Sequence, residues 1–190
     1  MLATAISISP LGASNSKLPL HHNWVPPKSG EFKSNFDGAM FDESDEAGAG
    51  VVIRDSIGHV IAAMAEKIRK PHSVECLEMV VDRHAVVFAT EIGLQQCHFE
   101  GDSQTDIKAL KSGDMFSSSF GHLVKDTLFY VHSMRSFSFS HIVRQGNAVA
   151  HALAQRARLS FPLLVWMKDV PSDVPSDVFA FVSKYFSVIR

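Results

Sequence analysis

Three β-type runs come first in this sequence, separated by only short turns, and that order restricts the folds open to it. Residues 34–41 read as a strand. "ESDEAG" (43–48) is a turn cluster, "AGVVIRD" (49–55) is rich in β-branched residues, and "SIGH" (56–59) separates it from "VIAAMAEK" (60–67). Strands joined this tightly pair as an antiparallel meander, because parallel neighbours need a crossover of roughly a dozen residues or more. The period then changes. Leu77, Val80, Val81, Ala85, Phe88 and Ile92 recur at helical spacing within residues 74–92, and Gly93 ends the run as helix-terminating glycines do. "QQCHFEG" (95–101) is a short strand, and "DSQTDIKALKSG" (102–113) is a helix opened by an Asp-Ser cap. Residues 119–133 predict a helix with Phe120 and Phe129 in the core, "SFSFSHIV" (136–143) an alternating strand, and "GNAVAHALAQRARL" (146–159) a last helix. Strands first, then alternating units, predict an α/β domain: a mixed sheet with helices on its faces.

A chain of 190 residues suits one such domain with tails. Residues 1–30 hold Pro10, Pro19, Pro26 and Pro27 among Ser, Asn and Gly, and read as an extended or disordered leader. Trp24 is expected to pin the end of that leader to the domain. The domain itself is expected over 31–160. A C-terminal extension follows over 161–190, where "VFAFVSKYF" (178–186) predicts a short helix. The net charge of −2 excludes binding nucleic acid by bulk electrostatics, so any polyanion site must be a local patch. No apolar run reaches the roughly 18 residues of a membrane-spanning helix. Cys76 and Cys97 form no CxxC pair and are expected as free thiols. The leader lacks acids, as transit peptides do, but residues 1–20 hold one lysine and no arginine. An intracellular location, nuclear or cytoplasmic, is the expectation; a monomer is expected as well, though no residue pattern fixes the oligomeric state.

Asp37 interrupts an apolar alternation on the first strand and is followed at once by Gly38-Ala39. Glu78 lies near the start of the first long helix, and Asp102 at the junction of the fourth strand with the next helix. In sheets of this kind, ligands gather at strand carboxyl ends and helix starts. Singly, each acid has a plain structural reading, as a turn residue, a solvated helix residue or a cap. Together they place carboxylates from separate elements at one point, where they repel unless a cation neutralises them. Mg²⁺ suits such a site, with carboxylates, water and phosphate oxygens around it.

The segments "KSNFDGA" (33–39), "AGAGVVIRDSIGHVIAA" (47–63), "EMVVDRHAVVFATEIGL" (78–94), "FEGDS" (99–103) and "HIVRQGNAVAHALAQRA" (141–157) carry a resemblance. Together they resemble type 1 ribonuclease H. They most closely resemble the plant ribonuclease H-like domains related to the ends of non-LTR retroelement reverse transcriptases. The similarity spans roughly residues 31–158, in family order, and Trp24 with Pro26 and Pro27 matches a leader seen in plant members. It implies an α/β ribonuclease H-like fold with a five-stranded mixed sheet, three antiparallel strands and then parallel additions. It also implies two-metal hydrolysis, with Mg²⁺ or Mn²⁺, of the RNA strand of an RNA–DNA hybrid. The metal ligands it implies are Asp37, Asp102 and one of Glu75 and Glu78, with the spacing to Asp102 favouring Glu78. The fourth catalytic position departs from the N-x-x-A-D-x-L-A pattern of many active members. His151 stands there in "NAVAHALA" (147–154), which removes one negative charge and predicts a weaker metal site that Mn²⁺ serves better than Mg²⁺. The mobile histidine of many members has no clear counterpart, and His141, on the fifth strand, is expected to be structural.

Gly38, Ser103, Arg144 and Asn147 are the expected substrate contacts: Gly38 by leaving space, Ser103 with the helix-start amides facing a phosphate, Arg144 by charge, Asn147 as a cap or a direct contact. "KIRK" (67–70) offers further cations or a solvated loop. Discrimination of RNA would rest on its 2′-hydroxyls across the minor groove. The competing reading is a catalytically weak or inactive retroelement-derived domain that binds nucleic acid or another partner. A 3′–5′ exonuclease is disfavoured, because that class places D-x-E on the first strand and Asp37 is followed by Gly38-Ala39.

Overall fold

A computed structural model describes residues 24–113, 120–159 and 162–174. The meander forms as β1 (Phe32–Met40), β2 (Glu46–Arg54) and β3 (Val60–Arg69). Then come α1 (Val74–Glu91), β4 (Gln96–Gly101), α2 (Gln104–Ser112), α3 (Gly121–Val131), β5 (Ser136–His141), α4 (Ala148–Arg156) and β6 (Leu163–Met167). The sheet order is β5-β4-β1-β2-β3-β6. β1, β2 and β3 are antiparallel, β4 joins β1 in parallel, β5 joins β4 in parallel, and β6 runs antiparallel to β3.

Most expected elements appear with shifted ends, and two differences matter. β2 begins at Glu46, inside the expected turn, because Glu46, Ala47 and Gly48 continue the ladder opposite Arg69, Ile68 and Lys67. The sheet has six strands rather than five, since Leu163–Met167, assigned to the extension, pairs with Ala62–Glu66 of β3. The expected helix at 178–186 lies outside the described residues. Among the described residues, no helix is long and apolar enough to cross a membrane. Both cysteines are free thiols, Cys97 buried and Cys76 half-buried.

Local chemistry explains where α1 starts and stops. The Ser73 hydroxyl accepts the Cys76 N–H at 3.1 Å, a side-chain N-cap, and Gly93 takes the left-handed conformation (φ +83°) that ends the helix region. One apolar layer lies between the sheet and α1 with α3, around Phe36, Val51, Ile53, Leu77 and Phe99. Another lies under α4, around Ala39, Phe41, Val52, Val149 and Leu153. Phe129, expected in the core, is 76% exposed. It falls off the stripe of Val124, Leu128 and Val131 that faces α1.

β1 and β4 are tied by a buried polar network. Lys33 Nζ lies 2.8 Å from Glu100 Oε1, and Asn35 donates its amide to Glu100 Oε2 at 3.2 Å. Arg54 reaches Asn35 Oδ1 at 3.4 Å, and Trp24 lies against the Arg54 guanidinium (4.7 Å) and the Lys33 ammonium (5.7 Å). Burial opposes ionisation of Glu100, yet hydrogen bonds from His98 and Lys33 hold its carboxyl below the ordinary range.

α4 lies directly on β2 because two strand residues have no side chain. A Cβ at Gly50 would stand 2.2 Å from the Ala150 carbonyl oxygen, and one at Gly48 2.1 Å from that of Ala154. Gly50 pairs with Asp37, so this close approach sets the height of α4 above β1. Gly50→Val is expected to lift α4 and destabilise the protein by about 3 kcal/mol, at the upper end of ordinary overpacking. Chemical denaturation measures this, and unchanged stability would mean that α4 is not seated there.

Candidate metal centre

β1 and β4 run side by side in parallel as far as Asn35 and Glu100. Two residues on, where this pairing ends, come Asp37 and Asp102. α1 brings the third acid. A Cβ at Gly38 would meet Leu77 Cγ at 2.8 Å and Glu78 Oε1 at 3.4 Å, so the glycine lets α1 close onto the strand. The room expected at Gly38 for a ligand is thus occupied by Leu77. One carboxylate oxygen from each of Asp37, Glu78 and Asp102 lies within 4.8 Å of the others. Glu75, the other candidate, is exposed in the first turn of α1.

The cluster carries uncompensated charge. Asp37 is 4% exposed, and burial, then the Asp102 carboxylate, push its pKa up to about 6 against the hydrogen bond from His151. Burial, then Asp37, Asp102 and Asp106, push Glu78 up to about 8, with Arg144 the opposing charge. Carboxylates so placed disfavour one another's ionised forms, and a hard cation removes the conflict. The donors are all carboxylate oxygens, which fits Mg²⁺ or Mn²⁺ and does not fit a soft metal.

His151 does not join these three. Its Nδ1 lies 2.6 Å from Asp37 Oδ2, while the Arg144 guanidinium lies 3.5 Å from its Nε2. A guanidinium only donates and a carboxylate accepts, so the contacts assign Nε2 as the acceptor toward Arg144 and Nδ1–H as the donor to Asp37. The histidine at the fourth position thus orients the first acid. Arg144 is exposed beside it, at the start of a 3-10 turn over Arg144–Asn147. Asn147 is buried, and its amide donates to the Phe36 carbonyl at 2.8 Å, so it anchors this turn to β1 rather than facing a substrate. Ser103 holds the N-cap position of α2 and is half-buried, with no side-chain cap bond. His141 Nε2 lies 3.1 Å from the Asp102 backbone carbonyl.

The "KIRK" cations are not a free patch. Lys67, Arg69 and Lys70 pair with Glu46, Asp45 and Asp42 at 3.5, 3.4 and 3.7 Å. The β2–β3 register sets Glu46 opposite Arg69, and the turn before β2 carries Asp42 and Asp45. Sequence reasoning passed over Asp82 and Asp106, both buried near the cluster, although each follows a cluster acid by four residues.

A family model described as reverse transcriptase-like matches residues 35–157. No curated protein matches the chain. Among solved structures, it is similar to RNase H1 from the halophilic archaeon Halobacterium salinarum, at 23% identity and TM-score 0.62, over 68% of this chain and 98% of that one. It is similar to an RNase H1 isolated from compost, solved in complex with an RNA/DNA hybrid, at 19% identity and TM-score 0.60, over 68% of this chain and 100% of that one. It also resembles the protease-reverse transcriptase of prototype foamy virus, at 16% identity and TM-score 0.55, over 80% of this chain and 23% of that one. Identities this low establish a shared fold, ribonuclease H-like, and no more.

The raised carboxyls make stability depend on pH. Folded Asp37 and Glu78 keep protons to about 6 and about 8, whereas unfolded carboxyls lose them near about 4, so the native state binds more protons across this window. Stability of the metal-free protein therefore falls as pH rises from about 5 to about 8. Thermal melts are expected to show this fall, with Glu78→Gln flattening it and Mg²⁺ reversing it at the upper pH. A melting temperature that rises across the window would contradict the assigned shifts.

Proposed function

The chain belongs to the reverse transcriptase-like family, and from that membership we propose a metal-dependent endonuclease that hydrolyses the RNA strand of RNA–DNA hybrids by a two-metal mechanism. The observation that carries this reading is the meeting of Asp37, Glu78 and Asp102 within 4.8 Å on a ribonuclease H-like fold. These residues would hold Mg²⁺, with Mn²⁺ able to replace it. Bound there, divalent ions supply Lewis acidity and a lowered pKa for attacking water.

The chain's own residues do the rest. The β1–β4 pairing fixes the spacing of Asp37 and Asp102, so the ligands need no rearrangement when substrate arrives. His151 donates to Asp37 Oδ2, which leaves Oδ1 of that carboxylate for coordination. Arg144, exposed at the rim, is placed to meet a phosphate oxygen of the cleaved strand. The start of α2, at Ser103, presents backbone N–H groups toward a second phosphate.

A second reading has one observation in its favour. His151 occupies an oxygen of Asp37 and supplies no negative charge, which weakens cation binding and fits a domain that binds nucleic acid without cutting it.

Cleavage of a labelled RNA–DNA hybrid separates the two. The nuclease reading predicts RNA-strand cleavage with Mn²⁺, slower cleavage with Mg²⁺, and a loss of about 1000-fold in Asp37→Asn, about 4 kcal/mol at the transition state. His151→Asp, which adds the missing charge, is expected to tighten Mg²⁺ binding about tenfold. A folded protein that binds the hybrid and cuts it with neither ion would establish the second reading.

A further inference from the structure

β6 ends the sheet beyond β3, and one of its two faces is left open. Residues paired across antiparallel strands point to the same side of a sheet. Trp166 lies opposite Ala63 and packs against the layer under α4. Val165 and Met167 lie opposite Met64 and Ala62, which belong to the layer under α1. Leu163 lies opposite Glu66, which His84 of α1 meets at 2.7 Å. α1 therefore covers β3 and leaves the strand outside it bare. Leu163, Val165 and Met167 are 50%, 46% and 58% exposed.

Edge strands are commonly guarded by charge, proline or a covering element. Leu163–Met167 contains neither a charge nor a proline, and its three exposed residues form a strip rather than scattered single contacts. The chain itself supplies a matching element. Val174 is buried in the layer against which Trp166 packs, and Arg156 meets both Asp173 and Trp166. The backbone thus arrives beside β6 with residues 175–190 still to follow. The helical pattern predicted over 178–186 continues to Ile189. At about 100° per residue, Val178, Phe181, Val182, Tyr185, Phe186 and Ile189 fall on one side, and Ser183, Lys184, Ser187 and Arg190 on the other. A helix over 178–189 is about 18 Å long, and a strand as short as β6 spans about 17 Å, so one lies along the other. The link from Val174 to Val178 reaches about 13 Å when extended, enough to round a single edge strand.

We propose that residues 178–189 form an amphipathic helix that docks its apolar side on Leu163, Val165 and Met167, on the face of the sheet that carries α1. The polar side, with Lys184 and Arg190, then meets water. A second copy docked through the same strip would leave the apolar side of 178–189 uncovered in both chains, which favours the chain's own segment as the occupant. Neither β6 nor 178–189 carries a residue of the metal centre, so this docking does not depend on what that centre cleaves.

Disulfide trapping on the full chain tests the docking. Cys76→Ser removes the half-buried thiol, and Cys97 stays buried. Val165→Cys with Val182→Cys is expected to bridge within one chain on mild oxidation, at least about tenfold faster than Val165→Cys with Ser187→Cys, whose second thiol lies on the polar side. Equal rates in the two variants, or bridges that join separate chains, would overturn the proposal. Hydrogen exchange decides where no bridge forms. Amides of 178–189 are expected to exchange at least about tenfold more slowly in the parent than in Val165→Asp. Unprotected amides in the parent, or protection that Val165→Asp leaves untouched, would overturn the proposal as well.

Discussion

Mutual repulsion among Asp37, Glu78 and Asp102 is the constraint on which the rest of this structure turns. At the outer limit of 4.8 Å, and with an effective dielectric constant of about 20, each ionised pair costs about 3.5 kcal/mol. That is a large part of a domain's typical net stability of about 5 to 15 kcal/mol. Without a cation the site therefore retains protons, as the raised pKa values of Asp37 and Glu78 express. A chain under no functional demand gains nothing from such an arrangement. A metal-dependent enzyme gains ligands already held at their working separation.

Holding repelling groups together needs a stiff frame, and small residues and buried pairs supply it. Lys33, Asn35 and Glu100 lock β1 to β4 one pleat behind Asp37 and Asp102. Gly38 admits α1 with Glu78, while Gly48 and Gly50 admit α4 with His151. Asn147 then fastens the start of α4 to the strand that carries Asp37. Each of these contacts joins residues distant in sequence. Their combined effect is to place side chains from β1, α1, β4 and α4 at one end of the sheet.

What could be read from the sequence was largely local. Tight turns between β-branched runs, the switch to helical spacing at residue 74, and the glycine stop at Gly93 all survive in the fold. The cluster was legible as well, because strand ends and helix starts are where such sheets gather ligands. Properties that depend on partners elsewhere in the chain were not. β6 is a strand because β3 offers it an edge, which its own five residues do not reveal. The cations of "KIRK" pair with acids at the start of β2 and in the turn before it. The position of His151 was readable, but its use of Nδ1 on Asp37 follows from where Arg144 stands. Asn147 read as a cap or a ligand contact, and its burial against Phe36 could be known only from the packing of α4 on β1.

Diffraction from crystals grown with Mn²⁺ and a short RNA–DNA hybrid tests the central claim most directly. Anomalous peaks are predicted about 2.2 Å from carboxylate oxygens of Asp37, Glu78 and Asp102, with a phosphate of the RNA strand beside them. Hybrid bound with no peak among these three carboxylates, or bound with its phosphates away from them, would contradict it.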